Sequence, residues 1–415
     1  MAGCRAMAAS IDSSTHDAPD SAYAWRRLAV SLVLSTIGGV GLWSTVVVLP
    51  AIQAEFGVDR GSASLPYTAT LIGFSIGGVL MGRLADRFGI MMPVMLGAVM
   101  LGLGYVASAA ATAYWQFIAA QALMIGMLGS SPTFGALVAD VSFWFLKRRG
   151  IAVAIVASGN YLAGTLWPPL IQYGIETVGW RQTHIWVGLF CLVTMLPLAL
   201  LLRRRADMSG ANGASAATAA LIPMPLSPAK LQALLVVAGI ACCVAMAMPQ
   251  VHIVAYCADL GYGPARGAQM LSLMLGLGVV SRLISGLIAD RIGGVGTLIL
   301  GSTLQCLALL FYLPFDGLTS LYVVSALFGL SQGGIVPSYA LIVRDYFPAR
   351  EAGARISLVL MATVLGMALG GWMSGEIYDL TGSYQAAFLN GIAWNLLNMG
   401  VAVWLLVGRL RLRTA

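Results

Sequence analysis

GRLADRFG, residues Gly82 to Gly89, returns as GLIADRIG, Gly286 to Gly293, each time at the polar end of an apolar run. A single copy would be a weak signal. Two copies at corresponding places, with apolar segments before and after each, mark two parallel repeats of one helical unit. The octad suits a tight link between helices. Its glycines (Gly82, Gly89, Gly286 and Gly293) let backbones approach closely. Asp86 can face the N-terminus of a neighbouring helix, whose partial positive charge favours an anion, and Asp290 holds the same place in the second copy. Arg87 and Arg291 follow them directly.

Outward from these octads the chain is apolar almost throughout. Of its 415 residues 59% are hydrophobic and only 9% charged, and the mean hydropathy is +0.87. Soluble domains carry charge on about a quarter of their residues, so that class is excluded. A spanning helix needs about 20 apolar residues, and twelve such segments lie between residues 28 and 408. The 49 glycines and 20 methionines suit helices packed closely in a bilayer. The expected fold is an all-α polytopic membrane protein, with twelve transmembrane helices in two pseudo-symmetric six-helix halves about a central cavity. Its expected parts are a disordered cytoplasmic N-terminus over 1–25, a first half over 26–202, a linker over 203–230, a second half over 231–408 and a cytoplasmic tail over 409–415. Within the linker, Ala, Ser, Gly and Pro dominate, as in flexible connections.

Basic residues set the orientation. With the N-terminus in the cytoplasm, nineteen of the 23 lysines and arginines fall on the cytoplasmic side. Only Arg60, Arg181 and Arg266 fall opposite, and Arg282 is left inside a span. That asymmetry satisfies the positive-inside rule with both termini cytoplasmic. The net charge of +7 is therefore topogenic rather than a footprint for nucleic acid. Residues 1–22 lack the apolar core of a cleavable signal peptide. Cys4, Cys191, Cys242, Cys243, Cys257 and Cys306 show no CxxC or Cys/His spacing, so neither disulfides, a metal nor another cofactor is expected. The expected setting is a bacterial inner (cell) membrane, with the protein working as a monomer.

Near the middle of GPARGAQMLSLMLGLGVVSRLISGLIADRIGG stands Arg282. A charge at bilayer depth costs a few kcal/mol and usually faces a bundle interior or a pathway. Gly278 lies one turn before it, Ser285 and Gly286 one turn after, so the guanidinium looks into space cleared by small residues. No Asp or Glu falls within a predicted span. An anion in a cavity is the natural counter-charge, since arginine matches a carboxylate with a planar fork of donors. A packing arginine bonded to backbone carbonyls is the alternative.

The octads resemble the signature G-x-L-A-D-R-x-G of the major facilitator superfamily, although Ile90 and Met91 replace its usual basic pair. FWFLKRRGIAVAIVASGNYLAG (Phe143 to Gly164) resembles its monocarboxylate-transporter-like members, a group that includes oxalate–formate exchangers. The end of helix 7, MPQVHIVAYCADLGYG, and the loops RDYFPAR and GEIYDLTGSY are similar to theirs too. The likeness covers nearly all of the chain after residue 25. It implies a carrier, not an enzyme, whose partners are a small organic anion, the bilayer and protons. The expected activity is symport of a monocarboxylate with a proton by alternating access. Exchange of organic anions, or drug and organic-anion antiport, is the rival. Gln121 without an arginine three residues before it, and a helix 5 without glycine-glycine-proline, count against drug antiport. Helix 11 offers no second cation for a dicarboxylate.

The expected substrate residues are Arg282, Tyr339, Asn160 and Tyr161. His252, Tyr256 and Asp259 fall on one face of helix 7 and are expected to couple protons or gate, histidine being the side chain that titrates near neutral pH. Asp259, near the outer mouth, is too far from Arg282 to pair with it unless a helix breaks.

Overall fold

The computed structural model describes residues 20–145, 148–204 and 226–414, with the side chains of 149, 349–350, 352–354 and 409–414 excepted. Most of the expected disordered start and linker, Cys4 and the tail arginines lie outside the described residues or side chains. The spans are α1 (Ala22–Phe56), α2 (Arg60–Phe88), α3 (Met91–Ala110), α4 (Tyr114–Trp144), α5 (Gly150–Val178) and α6 (Trp180–Leu200), followed by α7 (Pro228–Asp259). The run Pro264–Phe311 comes next, then α10 (Leu318–Tyr346), α11 (Ala349–Thr381) and α12 (Tyr384–Thr414). No strand occurs among the described residues.

Two boundaries differ from expectation. α1 starts inside the stretch expected to be disordered, because the Ser21 hydroxyl caps it by accepting from the Ala24 amide at 3.3 Å. α12 runs on through the expected tail to Thr414.

Pro264–Phe311 is 48 residues long, about 70 Å at 1.5 Å per residue and twice a bilayer core. It is two spans. Gly293, the last glycine of the second octad, has φ 76° and ψ 173°, which breaks the run into α8 (264–292) and α9 (294–311). Gly89 ends the first octad at φ 82° and ψ 163°. Only glycine adopts this backbone without strain. Twelve crossings return the chain to the side on which it began, here named the termini face, opposite the far face.

The repeat is visible in packing as well as in sequence. A Cβ on Gly126 of α4 would stand 2.4 Å from the Thr70 carbonyl oxygen of α2. A Cβ on Gly329 of α10 would stand 2.3 Å from the Met274 carbonyl oxygen of α8. Thr70 and Met274 are separated in sequence by the same offset as Gly82 and Gly286, and the two glycines match within one residue. α4 and α10 are both interrupted midway. α4 widens into π-type turns over Ala120–Ser130 and tightens over Ser131–Thr133, while α10 loosens at Gly333 and Gly334.

The two halves touch along α5–α8 and α2–α11. On the far side the second seam is dense. Thr68 donates its hydroxyl to the Ala368 carbonyl at 2.9 Å, and Gly371 packs on the Tyr67 ring. On the termini side α2 carries Gly78 and Gly82, with nothing within 4 Å of either Cβ position.

Close approach of α2 and α4 is directly testable at Gly73, where a Cβ would meet the Ala122 carbonyl oxygen at 2.1 Å. Gly73→Leu is expected to lower the melting temperature of the purified protein by several degrees, since overpacking costs about 1–3 kcal/mol. An unchanged melting curve would mean that these helices are not in contact there.

Candidate functional site

Arg282 ends the α5–α8 seam. Moving toward the termini face, Ser272 donates to the Thr165 carbonyl, Leu275 packs at Gly164, and Gly278 faces the Tyr161 ring. Arg282 then reaches Ala157, donating from Nη1 to its carbonyl at 3.1 Å. Residues advance on α8 as they retreat on α5, as two antiparallel helices require. The guanidinium carbon lies 4.2 Å from the centre of the Tyr161 ring, a cation–π contact. Its Nε is buried and has no hydrogen-bond partner. Arg282 is half-buried, and among the described residues no carboxylate pairs with it.

α10 fixes the position of Arg282. A Cβ on Gly333 would stand 2.4 Å from the Arg282 backbone nitrogen. Ser281 donates its hydroxyl to the Leu330 carbonyl at 2.5 Å and accepts from the Gly333 amide at 3.2 Å. The spacing Gly329-x-x-x-Gly333 is the small-residue pattern that lets membrane helices approach. Gly278 completes the group: a Cβ there would lie 3.3 Å from Gln332 Nε2 and 3.7 Å from the Tyr161 ring.

Tyr161 thus adjoins Arg282, while Asn160, its neighbour in sequence, turns toward α1. The Asn160 side-chain oxygen is engaged by Trp43, whose indole N–H reaches it at 3.3 Å and the Asn160 carbonyl at 3.1 Å. Tyr339 does not join them. It is fully buried in the second half and donates to Asn398 Oδ1 at 2.7 Å. It lies on the stretch of α10 beyond Gly334, which turns toward α12. Gln332 and Gln250, absent from the expected site, are both buried. Gln250 donates to Gln332, whose own amide reaches the Met274 carbonyl at 3.3 Å. Trp43 and Gln332 were visible as lone polar-capable groups in apolar runs, but only the fold shows which face they take.

His252, Tyr256 and Asp259 gather in a second cluster at the far face. His252 is fully buried, its Nε2 2.8 Å from the Gly371 carbonyl, which makes Nε2 the donor and leaves Nδ1 without a partner. Its ring is 5.7 Å from that of Tyr384, and Tyr256 meets Tyr384 edge-on at 5.1 Å. Asp259 pairs with Arg60 of α2, both carboxylate oxygens lying 3.0 Å from Nη2. That partner had counted only as an outer-side charge. α8 descends about 27 Å from Pro264 to Arg282 at 1.5 Å per residue, so the clusters are separate. Beside Arg60, Asp59 caps α2, and the Ser62 hydroxyl and amide hold its carboxyl below the usual range.

The octads depart from expectation. Asp86, Arg87, Asp290 and Arg291 are exposed, and none makes a hydrogen bond or ion pair among the described residues. For Asp86 the cause is visible: the far-face seam holds the opposite end of α2 against α11 and leaves this end in solvent.

Two six-helix repeats meeting along seams, one of which carries a deep arginine, have the architecture of a membrane carrier. The Major Facilitator Superfamily model matches residues 31–320 and 295–414, and the chain belongs to that superfamily. It is 26% identical over 398 residues to Monocarboxylate transporter 13 of Bos taurus, covering 93% of this chain and 90% of that protein. It is 22% identical over 364 residues to the Agnestins efflux protein AgnL12 of Paecilomyces divaricatus, covering 87% and 82%. A crystal structure of a mutant nucleoside transporter NupG superposes with a TM-score of 0.72 over 91% of this chain and 99% of that one, at 13% identity, a likeness of fold. The protein is a transporter of monocarboxylate-transporter-like type, not an enzyme, and it takes a small-molecule substrate.

If the Tyr161 ring supports the guanidinium, Tyr161→Phe should leave ligand affinity within about twofold. Tyr161→Ala should weaken it roughly 5- to 30-fold, the ratio for a cation–π contact of about 1–2 kcal/mol. Titration of the transported solute by tryptophan fluorescence separates the two variants. Equal affinities would remove the ring from the site.

Proposed function

We propose that this transporter moves a small organic anion, a monocarboxylate, together with a proton by alternating access, working as a monomer in a bacterial inner membrane with both termini in the cytoplasm. The single observation that supports the anion is the incomplete satisfaction of Arg282. The same chain contains a structural arginine for comparison. Arg27 is 2% exposed and forks onto Asp140 at 2.7 and 2.8 Å, with further bonds to Tyr23 and the Leu202 carbonyl. Arg282 has one carbonyl, one ring and an orphaned Nε. A carboxylate supplies what is missing, since it can accept from two guanidinium nitrogens at once. Asn160, Tyr161 and Gln332 would orient it; Tyr339 would support α10 from behind.

His252 is the group assigned to the proton. Its buried Nδ1 is an acceptor with no partner, an atom at which an imidazole can take up a proton. A proton accompanying one carboxylate makes the step electroneutral, so a pH gradient rather than membrane potential drives uptake. Export of a larger organic anion is the second reading, favoured by the likeness to a fungal efflux protein.

Three outcomes test this. Arg282→Lys keeps the charge and loses the fork, and should cut uptake in proteoliposomes at least tenfold while membrane insertion is unchanged. Normal uptake would make Arg282 a packing residue. Wild-type uptake should rise as the outer solution is acidified and need no counter-substrate inside; His252→Gln should flatten that pH response more than it changes KM. Dependence on a preloaded anion, without response to pH, would instead identify an exchanger. For orientation, a cysteine introduced at Ser215, outside the described residues, should resist impermeant thiol reagents in intact cells. Labelling there from outside would invert the topology.

A further inference from the structure

The far face is closed by charges arranged with opposite signs on the two halves. The first half contributes Arg60 and the amide-rich N-terminus of α2. The second half contributes Asp259 from α7 and Asp379 from α11. Asp259 holds the Arg60 side chain, with both oxygens 3.0 Å from Nη2. Asp379 accepts from the backbone amides of Arg60 and Gly61 at 3.0 and 2.5 Å. A carboxylate of one half therefore caps a helix of the other, where the helix dipole favours it. Tyr378 and Tyr384 flank the guanidinium at 5.1 and 5.9 Å.

Closure also leaves groups unsatisfied. Arg60 is 6% exposed, and its Nε and Nη1 are shut off from solvent without a partner. The Tyr384 hydroxyl and His252 Nδ1 are in the same condition. Buried orphans of this kind oppose the state that creates them, because separation of the halves returns them to water. An ion pair and two cap bonds hold the face shut, while buried groups without partners press it open.

We propose that Arg60, Asp259 and Asp379 form a poised electrostatic latch that sets how often the far face opens. The latch deepens the alternating-access reading and depends on neither the substrate nor the proton assigned above. Loss of Asp259 leaves Arg60 with a third unpaired nitrogen, so the open conformation gains population. Reversing both charges restores attraction between the halves.

The readout is accessibility of a cysteine placed at Ser64, which is fully buried on α2. The full chain in proteoliposomes is treated with an impermeant maleimide, and labelling is measured against the parent without that cysteine. Ser64→Cys alone should label slowly. Adding Asp259→Asn should raise the rate at least tenfold, and Arg60→Asp with Asp259→Arg should bring it back within about threefold of the starting value. Slow labelling with Asp259→Asn overturns the latch. So does fast labelling that the charge swap fails to reverse, which would mean damaged packing rather than lost attraction. Each variant is first checked for an unchanged elution profile and for its thermal shift with short-chain monocarboxylates. If wild-type protein shows no such shift while the labelling pattern holds, the substrate reading fails and the latch stands.

Discussion

Hydrocarbon gives apolar helices no hydrophobic reason to prefer each other over lipid, so this bundle depends on backbone approach at small residues. Gly126 and Gly73 bring α4 and α2 into contact in the first half; Gly329 and Gly333 do the same for α10 and α8 in the second. The consequence reaches the candidate site. Because Gly333 lets α10 press on the Arg282 backbone, the guanidinium stands at a fixed height on the α5–α8 seam, opposite Ala157 and Tyr161. Across the halves, Gly371 and Gly375 allow α11 to close on α2. The charges act only after the glycines have set these distances.

Arginines in this chain show three degrees of satisfaction. Arg27 meets a carboxylate, a phenol, a carbonyl and the face of Trp144. Arg60 meets a carboxylate through one nitrogen and hides two others. Arg282 meets no carboxylate at all among the described residues. Insertion of an arginine at mid-span costs about 2.5–3.5 kcal/mol on translocon scales, and a cation–π contact returns roughly 0.5–2 kcal/mol. One carbonyl bond adds about 1.5–3 kcal/mol. These balance closely enough for the protein to fold around Arg282 and leave a nitrogen for a ligand. Arg27 has no nitrogen to spare in that way.

Legibility in the sequence follows the range of the interaction. Twelve spans, the repeat and the break at Gly293 were readable, because they rest on local hydropathy and on a glycine whose backbone no other residue adopts. Tyr161 was readable as a polar group that could line a cavity, but its contact with Arg282 depends on how α5 packs on α8. Tyr339 was misjudged for a physical reason: periodicity assigns a residue to a helix face, but α10 is interrupted at Gly333 and Gly334, so the face beyond turns toward Asn398. Arg60 was passed over because its partners come from α7 and α11, far away in sequence. Oppositely charged residues in different loops of one face were the available signal. Asp86 was expected to face a helix N-terminus, but that depends on which face is shut, a property of conformation that no local pattern encodes.

Conformation ties the two ends of α2 together. The helix is 29 residues long, about 42 Å end to end, and Arg60 and the first octad occupy its opposite ends. Every contact described between α2 and α11 involves residues 60–68 of the one and 368–379 of the other. A rigid helix pinned near one end carries its other end outward, and this accounts for the exposed Asp86 and Arg87 together with the shut Arg60. To bring Asp86 against α11, α2 would have to pivot together with α4, to which its glycines fix it, and in the proposed latch that pivot draws Arg60 away from Asp259. On the proposed alternating-access mechanism, latching of one face and release of the other are then a single rotation of the packed first half, with Arg282 between them on a seam that the glycines of α10 hold in place.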